Sequence, residues 1–528
     1  MNKKYFWYLL ISFATLGCFL RIINLNSNPP HLGNDEISIA YDSYSVRTTG
    51  KDEYGISWPL SFKSHRVYKS PLYAYLNMPF NYLLGNSEYG VRLLSALMGT
   101  IAIIIIGLVG RFIGGDKVGL FGASLLAINP KSIFVSRMAY ESNLASIIML
   151  VGIYLIFLFY KKQKNLFLIF SGLFLGISTW AYQTQWILVP LLSFGLPFLW
   201  RKKINFKKWL LMWLIIILLM IPIIWDLINV QMKDPFNRAS SQIWFNGVAI
   251  QNYLSSTQDN IFKKITTVLI DPIYRYFDHF SLDYLFTKGM ELFPKNEPFN
   301  FGWFLLATLP LLIIGLINLN KIFKENSTGL LLWWLLCPVV PSFTHGEIAA
   351  VRNLAFIMPT LIIMAGGLFI LFNKSKKIFY LIIFIILINF GYFSIAYYIH
   401  FPKISGDDFQ YGYKQAWLYI KPIVNNFDKV IIEPKFGPYG QFSGLPRLYF
   451  GYFGAFNSKE ILLRSDDSSK IGKYSMRDVD WNQEKTEPNS LYIVSASNPV
   501  IDNNKYLLLD KIMNTNGKTQ FLIYKTKN

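Results

Sequence analysis

The chain has 528 residues, of which 53% are hydrophobic and 17% are aromatic, whereas only 16% are charged. This composition, with its apolar residues gathered in long blocks, excludes a soluble cytosolic enzyme. The 51 Lys and Arg exceed the 31 Asp and Glu and give a net charge of +20. Because the basic residues lie in short clusters between apolar blocks, they indicate membrane topology and argue against a nucleic-acid partner.

Eleven apolar stretches are long enough to cross a membrane, since a helical span needs about 20 mostly apolar residues. They begin near Tyr5, Gly90, Val118, Leu144, Leu166, Trp186, Trp209, Gly302, Gly329, Leu354 and Ile378. The first stretch follows Lys3 and Lys4, as in a signal peptide, but it runs on to Leu25 and many spans follow, so a retained anchor is favoured. The predicted fold class is an α-helical polytopic membrane protein with about 11 transmembrane helices.

The connections between these stretches alternate in character. One set is short and basic, as at 201–208, and the positive-inside bias places it in the cytoplasm together with the N-terminus. An odd number of spans then leaves the C-terminus outside. We therefore predict a multi-pass protein of the plasma membrane with a cytoplasmic N-terminus and an extracytoplasmic C-terminal domain.

Two long connections, at about 26–89 and 227–301, fall on the outer face, and long loops of this kind are usually functional. The segment Glu36–Tyr44 mixes apolar, aromatic and polar residues as an interfacial helix does. A second helix is predicted from about Pro71 to Leu84. Both helices are expected to lie flat on the membrane surface.

The composition becomes that of a soluble protein near residue 401. Lys429–Ile432, Leu491–Val494 and Phe521–Tyr524 have the pattern of strands between polar turns. We predict two domains, a transmembrane catalytic domain at 1–400 and a small extracytoplasmic α/β domain at 401–528. The second shows no phosphate-binding loop, paired-Cys metal spacing or nucleophile elbow, so its sequence predicts no particular chemistry.

Charged residues lie at the outer ends of the predicted spans rather than in their middles, which suits a lipid headgroup better than a transported solute. Asp35 and Glu36 follow the first span. One interpretation is structural, with Asn34 capping a helix whose first turn holds the two acids. The other is a general base at a loop-to-helix junction. The residue types alone do not decide between them.

Lys69 precedes an apolar helix, where it could hold a phosphate or simply extend to the membrane surface. Glu141 lies in a short turn at 136–143, where it could bind a substrate or pair with Arg137 and cap the next helix. Both interpretations stay open for each residue.

Two further outer turns contain candidate binding residues. His345 and Arg352 lie before the tenth predicted span, and Arg352 at a helix start would suit an anion, although it could equally be a membrane anchor. Tyr182 lies in the aromatic and amide cluster Trp180–Trp186, which an interfacial aromatic belt explains more often than a sugar site does.

In this order, the residues resemble the C-type glycosyltransferase superfamily, in the branch of protein O-mannosyltransferases and the bacterial aminoarabinose transferase that modifies lipid A (glycosyltransferase family 39-like). Asp35-Glu36 follows the opening span, Lys69-Ser70-Pro71 comes next, Glu141 lies in the second outer loop, and a His/Arg turn comes late. The likeness covers about 1–400 and is strongest over 21–141.

The resemblance implies inverting transfer of a sugar from a polyprenyl-phosphate donor to a lipid, glycan or protein acceptor on the outer face. It implies that Asp35 deprotonates or orients the acceptor hydroxyl with the support of Glu36, and that Lys69 holds the donor phosphate. It further implies that Glu141 orients the acceptor or a cation and that Arg352 stabilises the departing phosphate. No loop is large enough for an inserted β-trefoil domain, which puts a protein acceptor in doubt.

A divalent cation could bind Asp35, Glu36 and Glu141 through oxygen ligands, but no spacing demands one, so the metal and cofactor stay unassigned. The expectation common to these roles is that Asp35 shares a pocket with Lys69 or Glu141. Two alternatives remain open. A lipid or oligosaccharide transporter would need charges within its spans, and a polyprenyl-diphosphate-dependent ligase or polymerase would need more Arg on the outer loops.

Overall fold

A computed structural model of the protein describes residues 3–64, 67–199, 205–233, 261–288, 301–344, 350–437, 440, 442–456, 459–460, 470–502 and 504–527. The chain divides into two units, the first of residues 1–23, 60–73 and 95–396, and the second of 24–59, 74–94 and 397–528. Most of the first long loop therefore belongs to the unit that contains the C-terminal segment. The predicted domain boundary at residue 400 stays a prediction.

Helices make up most of the described chain. Their bounds are α1 Lys3–Ile22, α2 Asn34–Thr49, α3 Leu72–Leu84, α4 Glu88–Gly114, α5 Asp116–Ala127, α6 Pro130–Ser136, α7 Glu141–Lys162, α8 Asn165–Thr179, α9 Gln185–Leu199, α10 Phe206–Asn229, α11 Ile261–Asp278, α12 Leu309–Ile317, α13 Leu319–Phe323, α14 Ser327–Leu336, α15 Val339–Ser342, α16 Ile357–Lys374, α17 Lys376–Ile395, α18 Phe401–Ile404, α19 Tyr413–Ile420 and α20 Pro446–Phe453.

Six helices of the described chain are long and apolar enough to cross a membrane, or up to 8 if each of two bent pairs counts as one span. The six match the stretches predicted near Tyr5, Gly90, Leu144, Trp209, Leu354 and Ile378. The protein is therefore a multi-pass membrane protein by helix length and composition. The predicted number of 11 spans is not confirmed, because α8 and α9 have only 15 residues each and other predicted spans are bent.

The span predicted from Val118 is bent by 59° between α5 and α6. Asn129 lies at the break, and its side-chain oxygen accepts the backbone N–H of Ser132 at 2.8 Å, so it caps a new helix that starts at Pro130. The stretches predicted from Gly302 and Gly329 form a second bent pair, with an angle of 72°. Hydropathy does not register a cap such as Asn129, which is why the first break was missed, whereas a break between the stretches from Gly302 and Gly329 was predicted.

The two helices predicted in the first long loop are present as α2 and α3. Ten residues of α2, from Glu36 to Val46, are buried. Its N-cap is Gly33 and not Asn34, so the predicted cap is wrong by one residue. The Glu36 carboxylate accepts the Gly33 N–H at 3.0 Å and so caps the N-terminus of the helix. The flat position of both helices on a membrane stays a prediction.

A six-stranded mixed sheet forms the core of the C-terminal segment in the second unit, with strand order β6-β7-β3-β8-β10-β9. Two short antiparallel hairpins, β1-β2 and β4-β5, occur elsewhere. The strands are β1 Phe62–Ser64, β2 Val67–Lys69, β3 Lys429–Ile432, β4 Lys435–Phe436, β5 Phe442–Ser443, β6 Lys470–Ile471, β7 Tyr474–Met476, β8 Ser490–Ser495, β9 Tyr506–Met513 and β10 Thr519–Thr526.

The three predicted strands are confirmed as β3, β8 and β10, the central strands of this sheet. β3 is parallel to β7 and β8, while β8-β10 and β10-β9 are antiparallel, with Ile523 opposite Ile493. Tyr413 of α19 packs on Phe521, with ring centres 4.8 Å apart, and stacks on Tyr449 of α20. These helices cover the sheet and connect it to the loop that precedes α2, because the Tyr449 hydroxyl donates to the Leu32 carbonyl.

Candidate functional site

The loop before α2 is held by one buried arginine. Arg92, in α4, is fully buried, and its guanidinium binds both carboxylate oxygens of Glu36 at 2.8 and 2.9 Å. The same guanidinium donates to three backbone carbonyls of the loop, those of Leu25, Pro29 and His31. A planar fork of five donors fits such a set of acceptors. Glu36 and Arg92 therefore set the path of the chain into α2.

Asp35 is the residue immediately before Glu36. It is in the first turn of α2 and is exposed, whereas its neighbour Glu36 is only 1% exposed. The two adjacent acids therefore have different surroundings, since Glu36 is buried in an ion pair and Asp35 is exposed. Glu36 positions the loop, and Asp35 is the exposed carboxylate of the two. The proposed catalytic role of Asp35 stays a prediction.

His31 is part of the same loop and is fully buried. Its ring stacks on Tyr449 with centres 4.8 Å apart, and its Nδ1 lies 3.2 Å from the Phe409 carbonyl oxygen. Burial lowers the pKa of His31 from 6.5 to about 4, with the nearby Glu88 opposing this shift and Lys414 and Arg92 adding to it. His31 is therefore neutral at physiological pH.

Acidification is expected to destabilise the second unit through His31. The unfolded histidine has a pKa near 6.5 and the folded one a pKa of about 4, so the unfolded state takes up the proton first. Stability present above pH 6.5 is then lost as the pH falls toward 4, by up to about 3 kcal/mol. Unfolding midpoints between pH 7.5 and 4.5 should fall less steeply for His31→Gln than for the parent. Equal slopes would contradict this.

In the first unit, Lys69 ends the β1-β2 hairpin and is only 3% exposed. It lines a small cavity with Ser61, Trp180, Gln183 and Asp226. The Leu72 N–H at the start of α3 donates to the Trp180 carbonyl at 3.2 Å, which joins the segment after Lys69 to the turn between α8 and α9. The predicted outer turn at 180–186 therefore forms one wall of the Lys69 cavity.

Asp226, near the end of α10, is the acidic group of this cavity. It is 5% exposed, and its Oδ2 accepts from the Ser61 hydroxyl at 2.6 Å and from the Gln231 side-chain amide at 2.9 Å. Asp226 is one of the charges at the ends of the predicted spans, and no sequence pattern connects it with Ser61 or Gln231. The one available signal was an acid at the end of an apolar helix, since Ser61 is 165 residues away.

The remaining predicted residues of the first unit lie in different elements. Glu141, predicted to lie in a turn at 136–143, is instead the first residue of α7 and is buried, and the turn before it is shorter, at 137–140. Tyr182 is half-buried in the turn between α8 and α9. Arg352 is half-buried in a 3₁₀ helix, Ala350–Phe356, that precedes α16. His345 lies outside the described residues.

Asp35 and Glu36 belong to the second unit, and Lys69, Glu141, Tyr182 and Arg352 to the first. The expectation that Asp35 shares a pocket with Lys69 or Glu141 therefore stays a prediction. Among the described residues, no group of three or more His, Cys, Asp or Glu side chains could hold a metal ion. Glu36 already has Arg92 as its counter-ion, and the metal stays unassigned.

One family of known proteins matches a segment of this chain. Residues 68–225 match the family model described as dolichyl-phosphate-mannose-protein mannosyltransferase, a segment that contains Lys69, Glu141 and Tyr182. A search of the curated proteins gave no match.

Solved structures share the fold at low sequence identity. The ArnT structure from Cupriavidus metallidurans bound to undecaprenyl phosphate has a TM-score of 0.55 and 12% identity, over 97% of each chain. An oligosaccharyltransferase from Archaeoglobus fulgidus, tethered to an acceptor peptide, has a TM-score of 0.50 and 13% identity, over 83% of this chain. This chain spans only 62% of that protein's length. Residues 68–225 are therefore similar to that mannosyltransferase family, and the chain as a whole is similar in fold to these two solved structures.

Proposed function

We propose that the protein is an inverting glycosyltransferase that moves a sugar from a polyprenyl-phosphate carrier to an acceptor on the outer face of the plasma membrane. The acceptor hydroxyl oxygen attacks the anomeric carbon as the bond from that carbon to the phosphate oxygen breaks. The acceptor proton passes to Asp35, and the bond electrons leave with the polyprenyl phosphate. One displacement of this kind inverts the anomeric centre and needs no nucleophile on the enzyme.

The observation that carries this proposal is the family match over 68–225, because the family description names a dolichyl-phosphate sugar and dolichyl phosphate is a polyprenyl-type phosphate. The ArnT structure that shares the fold holds undecaprenyl phosphate, a carrier of the same chemical kind. Both support a lipid-phosphate donor. The sugar and the acceptor, whether lipid, glycan or protein, are not assigned.

Lys69 suits the role of the cation that holds the donor phosphate. A buried ammonium group interacts with a phosphate more strongly than an exposed one, because less water screens the charge. Asp226 provides a negative charge on the wall of the same cavity, while Ser61 and Gln231 stabilise the Asp226 carboxylate. Trp180 and Trp186 add aromatic surface of the kind that packs on sugars or isoprenoid chains.

The other roles come from the family resemblance. Asp35 is the base, and Glu36 supports it by fixing the start of α2 through Arg92. Glu141 orients the acceptor, Arg352 stabilises the departing phosphate, and His345 and Tyr182 contribute to substrate binding.

A direct test uses the purified full chain and a radiolabelled polyprenyl-phosphate hexose, with membrane lipids and cell-wall glycans as acceptors. The expected result is free polyprenyl phosphate formed together with labelled, inverted product. A transporter would move the lipid without releasing polyprenyl phosphate. A ligase or polymerase of the diphosphate type would act only when the donor carries a second phosphate. Either outcome would overturn the proposal.

Lys69→Ala is expected to weaken donor use by roughly 10- to 100-fold, since a hydrogen bond to a charged group contributes about 1.5–3 kcal/mol. The variant should raise the KM for the donor, and the unfolding midpoint is measured in parallel. Lys63→Ala provides the matched control, because Lys63 lies in the same hairpin, opposite Tyr68. Equal loss in both variants would indicate hairpin damage and contradict a phosphate-binding role.

A further inference from the structure

The second unit contains a cavity of about 400 Å³ that the proposed reaction does not use. Its walls come from the segment after α1, the start of α4, α18 and the start of α19. The residues that decide its chemistry are Asn26, Glu88, Lys403, Tyr411, Lys414 and Gln415. A volume of this size is typical of small-molecule sites.

Two of the charged groups that line the cavity neutralise each other. Glu88 is only 3% exposed, and both of its carboxylate oxygens accept from the Lys414 ammonium at 2.7 Å. This pair therefore adds no net charge, and its carboxylate is not available to bind a cation. The charge left over in the cavity is that of Lys403, which is exposed.

Two side-chain amides of the cavity, those of Asn26 and Gln415, keep their donors for a ligand. The Asn26 side-chain oxygen accepts the Tyr89 N–H at 2.9 Å, and the Gln415 side-chain oxygen accepts the Gly412 N–H at 3.0 Å. In the part of the chain that the structure describes, neither amide NH₂ donates to another protein group. With Lys403, the cavity offers two amide donors and one ammonium. Such a set matches an anion with several oxygens.

The place of these residues in the chain indicates where the ligand comes from. Asn26 lies four residues after α1, Glu88 is the first residue of α4, and Lys403 is at the end of the last candidate span, Lys376–Ile404. Residues at the ends of membrane spans lie near lipid headgroups. We propose that this cavity, which shares no lining residue with the Lys69 cavity, binds the phosphate group of an anionic membrane lipid. This inference does not depend on the glycosyltransferase activity.

The test uses two variants that keep each protein contact and replace the amide donor by a negatively charged oxygen. In Asn26→Asp and Gln415→Glu a carboxylate oxygen still accepts the Tyr89 or Gly412 N–H, but the NH₂ becomes a negative oxygen that repels a phosphate. Asn425→Asp adds the same charge at an exposed site of the same unit. Lys403→Ala, also at an exposed position, removes the cation without touching a backbone contact of the cavity.

Binding of dihexanoyl phosphatidylglycerol, dihexanoyl phosphatidylcholine and inorganic phosphate to the full chain is followed by calorimetry. Phosphatidylglycerol is expected to bind more tightly than phosphatidylcholine. Its affinity should fall roughly tenfold or more in Asn26→Asp, Gln415→Glu and Lys403→Ala and stay within about twofold in Asn425→Asp. Inorganic phosphate that binds with the same sensitivity would also support the phosphate site and point to a soluble ligand. Equal binding of both lipids, or no effect of the three cavity variants, would overturn the proposal.

Discussion

Asp35→Asn is expected to lower sugar transfer by at least about a hundredfold while leaving the unfolding midpoint unchanged. The amide keeps the shape of the side chain but cannot accept the acceptor proton, and loss of a general base typically lowers a rate by about 10²- to 10⁴-fold. Asp35 is exposed at the start of α2, so its replacement breaks no buried contact. The measurement is release of polyprenyl phosphate at saturating donor, beside a thermal melt.

The neighbouring exposed residue supplies the control for this prediction. Asn34 is the first residue of α2, and Asn34→Ala should retain activity close to that of the parent. If Asp35→Asn transfers sugar within about twofold of the parent rate, Asp35 is not the base. If both variants lose activity together, the start of the helix matters and the carboxylate itself does not.

Arg92→Met is expected to destabilise the protein by about 3–5 kcal/mol, the usual cost of removing one partner from a buried ion pair. The change leaves the buried Glu36 carboxylate without its counter-ion and removes the donors for three loop carbonyls. Unfolding in detergent, followed by intrinsic fluorescence, measures the loss. Activity should fall as well, because Asp35 is positioned by the helix start that this pair fixes.

The double variant Glu36→Gln/Arg92→Met separates the ion pair from the rest of the network. The amide that replaces the Glu36 carboxylate is neutral and can still accept the Gly33 N–H, so much of the loss in Arg92→Met should be recovered. Additive losses would show that Glu36 and Arg92 do not act together. That result would contradict the proposal that Glu36 supports Asp35 through its ion pair with Arg92.

Local patterns were sufficient for many elements. β3, β8 and β10 follow the predicted apolar runs because a strand buried on both faces needs an apolar run whatever its neighbours are. The helices α2 and α3 were likewise visible from composition. The number of spans was not, since caps such as Asn129 end a helix inside a continuous apolar stretch.

The candidate site was only partly visible, for a different reason. Asp35, Lys69 and Glu141 were proposed from their order along the chain, which a resemblance can capture, and their roles stay predictions. Glu36, unlike Asp35, is paired with Arg92, which lies 56 residues further along the chain. Asp226 accepts a hydrogen bond from Ser61, which lies 165 residues earlier. Nothing in the local sequence distinguishes these residues from other charged or small polar ones.

By itself, the sequence determined that this protein is a multi-pass membrane protein, that several segments are helices and three are strands, and which superfamily it resembles, because hydropathy and short motifs are properties of neighbouring residues. Only the tertiary structure decided which acid is paired and which is exposed, that Asp226 lines the Lys69 cavity, and that the loop at 24–59 belongs with the C-terminal sheet. Those outcomes depend on burial and on contacts between distant residues. A buried charge takes whichever partner the fold brings within reach.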